Sequence, residues 1–126
     1  MNASAAMRQY QNVNNQSQVH DASPHRLIQM LMEGGLSRIA QARGSMERAQ
    51  YAQKGILIGK ATGILAGLRE ALNFEAGGEL AENYANLYDY MSRRLGEANR
   101  SNDLEVLDEV SGLLRTIKEG WDAIAQ

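Results

Sequence analysis

The chain has 126 residues, one proline, no cysteine, 44% hydrophobic and 6% aromatic residues, and a formal charge of −2 from 13 Lys plus Arg against 15 Asp plus Glu. That length supports one hydrophobic core without disulfides or a metal; the missing cysteine excludes disulfide frameworks, thiol catalysis and Cys-type zinc sites, and the balanced charge excludes the basic footprint that holds a nucleic-acid backbone. No apolar run approaches the ~20 residues that span a bilayer and the N-terminus lacks the apolar stretch of a signal peptide, so a cytoplasmic protein without membrane insertion is expected.

Residues 1–22 hold four Asn and four Gln but no Leu, Ile or Phe. Such a stretch cannot bury enough apolar surface to offset its own ordering entropy, and it reads as an N-terminal flexible or capping segment ahead of a domain over 23–126. Ser23-Pro24 then supplies an N-cap followed by proline at the first helical position, where a missing N–H is harmless. From there Leu27, Ile28, Leu31, Gly35, Ile39, Ala42 and Met46 recur at spacings of three and four, predicting a first helix over 24–46. A second is expected over 49–72 with Leu57, Ala61, Ile64, Leu68, Ala71 and Leu72 inside. Asn73 to Gly78 reads as a turn, because Gly77-Gly78 brings backbone freedom that a helix interior penalises.

The third helix, over 79–99, gathers Leu80, Tyr84, Leu87, Tyr88, Met91, Leu95 and Ala98 into an arc of about 100°. Ser101, Asn102 and Asp103 are N-cap candidates for a fourth, running to about Ala125, with Leu107, Val110, Leu114, Ile117, Trp121 and Ile124 on a heptad-like seam. Short connections between helices of similar length predict an all-α, antiparallel up-down-up-down four-helix bundle.

No constellation of residues carries chemistry. Gly59-Lys60-Ala61-Thr62 lacks the spacing, the hydroxyl and the preceding strand of a phosphate loop. His20 and His25 flank the start of the first helix without metal-ligand spacing around them, and Trp121, Tyr84 and Tyr88 read as core. Asp89 and Arg93 read as an i,i+4 pair. The expectation is a non-enzyme without cofactor or metal.

Placed on the second helix, Gly55, Gly59, Gly63 and Gly67 recur every four residues, centred about 160° from its apolar face. Exposed helical glycines each cost about 0.8–1 kcal/mol relative to alanine, which leaves two readings: a smooth outward track, flanked by Ile56 and Ala66, that lets another helix approach, or a locally loose helix with no docking role. Tyr90 projects roughly 160° from Tyr88 and is a further candidate partner contact. Met7 and Tyr10 could form a small apolar anchor on the N-terminal segment.

Leu87-Tyr88-Asp89-Tyr90-Met91-Ser92-Arg93-Arg94-Leu95-Gly96-Glu97-Ala98-Asn99, followed by Asp103, resembles the signature of the FliS family of flagellar secretion chaperones. Ala22-Ser23-Pro24-His25-Arg26-Leu27 resembles the start of that family's first long helix, Gly77-Gly78-Glu79-Leu80 its third, and Glu109 through Trp121 its fourth; Tyr10 and Val13 match its N-terminal motif. The resemblance implies a cytoplasmic chaperone that binds the disordered C-terminal segment of flagellin, stops it polymerising early and escorts it to the type III export apparatus, where it meets the gate protein FlhA. It also implies that Met7 and Tyr10 occupy positions linked to capping the client groove and to docking at the gate. Met32 and Met7 depart from the family pattern, which more often has an aromatic and a branched aliphatic residue there. The alternatives are an adaptor for another flagellar client and a structural bundle that forms a homodimer through the glycine track when free.

Overall fold

A computed structural model describes residues 22–124. They form four helices, α1 (Pro24–Glu47), α2 (Tyr51–Glu70), α3 (Phe74–Ser101) and α4 (Leu104–Asp122). Each helix packs on its chain neighbours, and α1 also packs on α4, closing an antiparallel ring. The four-helix bundle expected from the periodicity is what the chain adopts.

Local chemistry sets the helix ends. The Ser23 hydroxyl accepts from the Arg26 N–H at 3.1 Å and Pro24 occupies the first turn. α1 stops in a Schellman arrangement, with the Gln50 N–H donating to the Ser45 carbonyl and the Ala49 N–H to that of Met46. The left-handed residue this motif requires is Ala49, at φ 57°. Ala49 therefore belongs to the turn and α2 begins at Tyr51, two residues later than its sequence suggests.

The turn expected over 73–78 is instead mostly helical. Asn73 caps Ala76 through its side chain and α3 starts at Phe74; the break falls at Gly78, with φ 50° and ψ −125°. Glycine freedom is spent on a kink inside α3 rather than on a loop. As a result Leu80, expected in the core arc, is 62% exposed. At the other end Asn102 takes the left-handed cap of α3, and Asp103 alone caps α4 by accepting from the N–H groups of Glu105 and Val106.

The core combines Leu31, Ile39, Ala42 and Met46 of α1 with Leu57, Ala61, Ile64 and Leu68 of α2, Tyr88, Met91, Leu95 and Ala98 of α3, and Leu107, Val110, Leu114 and Ile117 of α4. It is wider than single stripes predict. Met30, Leu31 and Met32 are all buried, as are Ile58 and Leu65, because each helix packs between two neighbours. Trp121 is only half-buried and Ile124 is exposed.

Arginines clamp the seams. Arg43 of α1 forks onto Asp108 of α4 at 2.7 and 3.1 Å, Arg69 of α2 reaches Asp89 of α3 at 2.8 Å, and Arg94 of α3 reaches Glu109 of α4 at 2.8 Å. Asp89 thus pairs across helices with Arg69, not along its own helix with Arg93 as its spacing implied. Lys54 is buried, and its ammonium donates to the Asn99 carbonyl at 2.7 Å and to Asn102 Oδ1 at 2.6 Å. It satisfies the negative end of α3 from the first turn of α2.

Two outcomes are expected. Ala49→Gly should stabilise the fold by about 0.5–1 kcal/mol, because glycine lacks the Cβ strain of a left-handed alanine and loses part of that gain to chain entropy; urea unfolding at neutral pH measures it. The hydrogen bond from Arg43 lowers the Asp108 carboxyl below its usual range, that from the Tyr90 hydroxyl, then Arg94, lowers Glu109, and that from Lys118 lowers Asp122. Below about pH 4 the unfolded chain binds more protons at these groups than the folded one. Their contribution is therefore complete above that pH and is lost as pH falls through the lowered values. Thermal unfolding should stay level from pH 7 to about pH 5 and fall steeply below pH 4, less steeply in Asp108→Asn.

Candidate client-binding surfaces

The glycine stripe on α2 is open at Gly59 and progressively covered toward both ends, most fully at Gly67. Gly59 is exposed, with no heavy atom within 4 Å of an added Cβ. Ile56, at 54% exposure, and exposed Ala66 flank it. Gly55 and Gly63 are half-buried and Gly67 is buried, so the stripe does not face outward along its whole length. The cause is the widened core face of α2: once Ile58 and Leu65 turn inward against a neighbouring helix, less of the circumference is left for solvent.

Tyr90 does not join this track. It is half-buried on the seam between α3 and α4, where its hydroxyl donates to Glu109 Oε2 at 2.5 Å and the Arg93 guanidinium lies 6.0 Å from its ring centre. That hydrogen bond, with desolvation second, raises the phenol above its usual pKa. Met7 and Tyr10 lie outside the described residues.

A second apolar surface is one that helix periodicity does not announce. At the end of the bundle where α1 and α3 begin and α2 and α4 finish, a cavity of about 420 Å³ opens between Met32, Leu68, Leu80, Tyr84, Tyr88 and Trp121. Tyr84 and Tyr88 stack at 6.4 Å. Tyr88 is 4% exposed, and burial, with Tyr84 second, raises its pKa. Tyr88 lies in the core as the periodicity predicts and Tyr84 and Trp121 pack half-buried against it, and all three also line this pocket. The signal that could have revealed it is the Gly77-Gly78 pair, which lifts the first turn of α3 and leaves Leu80 at the rim.

One wall of this cavity is held by a reciprocal pair. His25 and Trp121 stack at 4.8 Å with 11° between their planes; His25 Nε2 donates to the Trp121 carbonyl at 2.8 Å and Trp121 Nε1 donates to the His25 carbonyl at 3.0 Å. Gln29 adds a hydrogen bond to Asp122 at 2.8 Å. His25 is thus a tie between the first turn of α1 and the last of α4, a role its position at a helix start did not disclose.

Among the described residues no group of three or more His, Asp or Glu side chains could hold a metal ion, and no helix is long and apolar enough to cross a membrane. Two features stand out on the surface: a small-residue strip around Gly59 on α2 and an aromatic-lined pocket at the bundle end.

Comparison with known proteins agrees with the resemblance. Residues 6–126 match the model of the family described as flagellar protein FliS. The chain is 64% identical over 125 residues to the flagellar secretion chaperone FliSB of Pseudomonas aeruginosa, covering 99% of both chains. It is 42% identical to the flagellar secretion chaperone FliS of Salmonella typhimurium over 99% of this chain and 93% of that one, and 34% identical to FliS of Bacillus subtilis over 88% and 82%. A family model spanning nearly the whole chain, on a bundle whose helices coincide with the matching motifs, establishes that this protein belongs to the FliS family.

Proposed function

We propose that this protein is an export chaperone that binds the C-terminal segment of flagellin in the cytoplasm, prevents its premature polymerisation and delivers it to the flagellar type III export apparatus at FlhA. The observation that carries this reading is the near full-length identity to proteins named flagellar secretion chaperones. The geometry is in keeping with it. Among the described residues no helix covers the outer face of α2, and Ile56, Gly59, Gly63 and Ala66 offer a low-relief strip where a client helix can lie close to the backbone, the helix-in-groove mode. Gly67, being buried, shapes that strip from beneath.

A client that folds as it binds spends part of its interaction energy on ordering, which moderates affinity and leaves release accessible at the export gate. Met7 and Tyr10 are assigned to capping the client surface and meeting the gate. The chaperone performs no catalysis in this reading and needs no cofactor.

Titrating the chain with a peptide of flagellin's C-terminal segment tests it. Binding at micromolar or tighter concentration, with one-to-one stoichiometry by calorimetry and a gain of helix by circular dichroism, is the expected result. No binding, or binding without gain of helix, overturns it; a chain running at twice its mass without client points to a structural dimer instead. Replacing Gly59 and Gly63 together by Leu should weaken the peptide complex by roughly 10-fold or more while raising helix stability, since two helical glycines are removed. Unchanged affinity would move the client off the α2 track.

A further inference from the structure

Of the three connections between the described helices, the one from α1 to α2 is written in residues that favour helix. Met46 to Lys54 reads Met-Glu-Arg-Ala-Gln-Tyr-Ala-Gln-Lys, without glycine, proline, asparagine, aspartate, serine or threonine. Arg48, Ala49 and Gln50 nevertheless form a turn, and Ala49 makes it at φ 57°, a backbone conformation that its Cβ opposes. The other two connections carry the chemistry that this one lacks. Asn73 caps α3 through its side chain, and Asn102, a residue suited to left-handed backbone, is followed by Asp103, whose side chain caps α4. Gln50, at the N-cap of α2, makes no side-chain cap; the first turn of α2 holds no acid and the last turn of α1 no base. Local preference and tertiary structure therefore disagree at this junction.

We propose that the junction is a hinge for exchange between two copies of the chain. It straightens, α1 and α2 become one helix from Pro24 to Glu70, roughly 70 Å long at 1.5 Å per residue, and α1 of each copy seats itself in the bundle of the other, giving a closed two-fold dimer. Every α1 contact of the monomer is remade with the second copy: the close approach of Gly35 to Leu114, the Arg43–Asp108 fork and the His25–Trp121 pair. Only the junction changes. The hydrogen bonds from the Gln50 N–H to Ser45 and from the Ala49 N–H to Met46 give way to helical ones, and the left-handed alanine disappears. That gain is taken once per chain against the entropy of joining two copies, so the dimer is favoured by concentration and by a short turn under strain. Because Met30, Leu31 and Met32 must leave one core before entering another, the two forms interconvert slowly.

The full chain, refolded from urea at low micromolar and at millimolar concentration, tests this by light scattering after chromatography. A monomer is expected at the low concentration; at the high one a dimer of undiminished helix content should form and persist for hours after dilution. Ala49→Gly removes the left-handed strain and penalises the continuous helix, so it should raise the dimer dissociation constant on the order of 100-fold or more. A mixing experiment identifies the exchange itself. Arg43→Asp in one chain and Asp108→Arg in another set like charges against each other within each monomer and each self-dimer, whereas exchange between the two chains restores opposite charges in both bundles. Refolded together, they should give the mixed dimer well above its statistical share by native mass spectrometry, with the excess shrinking at high salt.

Monomer alone at millimolar concentration overturns the proposal. A dimer that falls apart on dilution, that Ala49→Gly leaves intact, or whose mixed species is no more than statistical overturns it too, because contact between outer surfaces explains each of these. Exchange leaves the outer face of α2 as it is in the monomer, so the exchanged dimer should still bind the flagellin peptide. A dimer that loses the binding its monomer has belongs to the Gly59 strip and overturns exchange. A slow, Ala49-dependent dimer whose monomer also ignores the peptide removes the chaperone reading and leaves this one standing.

Discussion

The packing of α1 on α4 is the constraint on which the rest of the molecule depends. These helices are first and last in the described chain, so their contact closes the longest loop and is the slowest to be repaid in entropy. Three features hold it. Gly35 lets the helices come close, since a Cβ there would sit 3.0 Å from Leu114 Cδ2. Arg43 forks onto Asp108 along the seam, and the His25 and Trp121 rings each donate to the other residue's carbonyl at its end. With this contact made, every helix has two neighbours and Met30, Leu31 and Met32 can all be buried.

Closure also explains how the protein tolerates a helix as unfavourable as α2. Its four glycines would forgo about 3–4 kcal/mol in an isolated helix relative to alanine. Leu57, Ile58, Ala61, Ile64, Leu65 and Leu68 are buried against two helices, and tertiary packing of this kind, rather than intrinsic propensity, is what keeps protein helices formed. The outer face is thereby released from any structural duty. At the bundle end the helix break at Gly78 falls two residues before Leu80, which lines the cavity with Tyr84 and Tyr88.

A residue's place follows from local spacing where a single helix decides the outcome, and does not where two or more helices compete for one side chain. Ser23-Pro24, the seam of Leu107, Val110, Leu114 and Ile117, and the arc of Tyr88, Met91, Leu95 and Ala98 follow from local spacing and were legible. Ala49 was misplaced because the Schellman turn here uses alanine where glycine would have announced it. Asp89 was given to Arg93, one turn away, because nothing local reveals that Arg69 of the neighbouring helix lies closer. Gly67 was read as outward because a stripe angle assumes one buried face, whereas α2 has two neighbours to satisfy.

Sequence by itself determined the all-α class, the number and approximate ends of the helices, most of the core, and, through the Leu87–Asn99 run and its companions, the family. These depend on periodicity and capping, which act over a few residues and are written into each segment. Only the tertiary structure decided that Lys54 caps α3, that His25 locks onto Trp121, that the stripe on α2 is buried at Gly67, and that Tyr84, Tyr88 and Trp121, in or against the core, also line a cavity. Each of those depends on which groups meet across distances of tens of residues in the chain, and helix spacing carries no information about what stands on the other side.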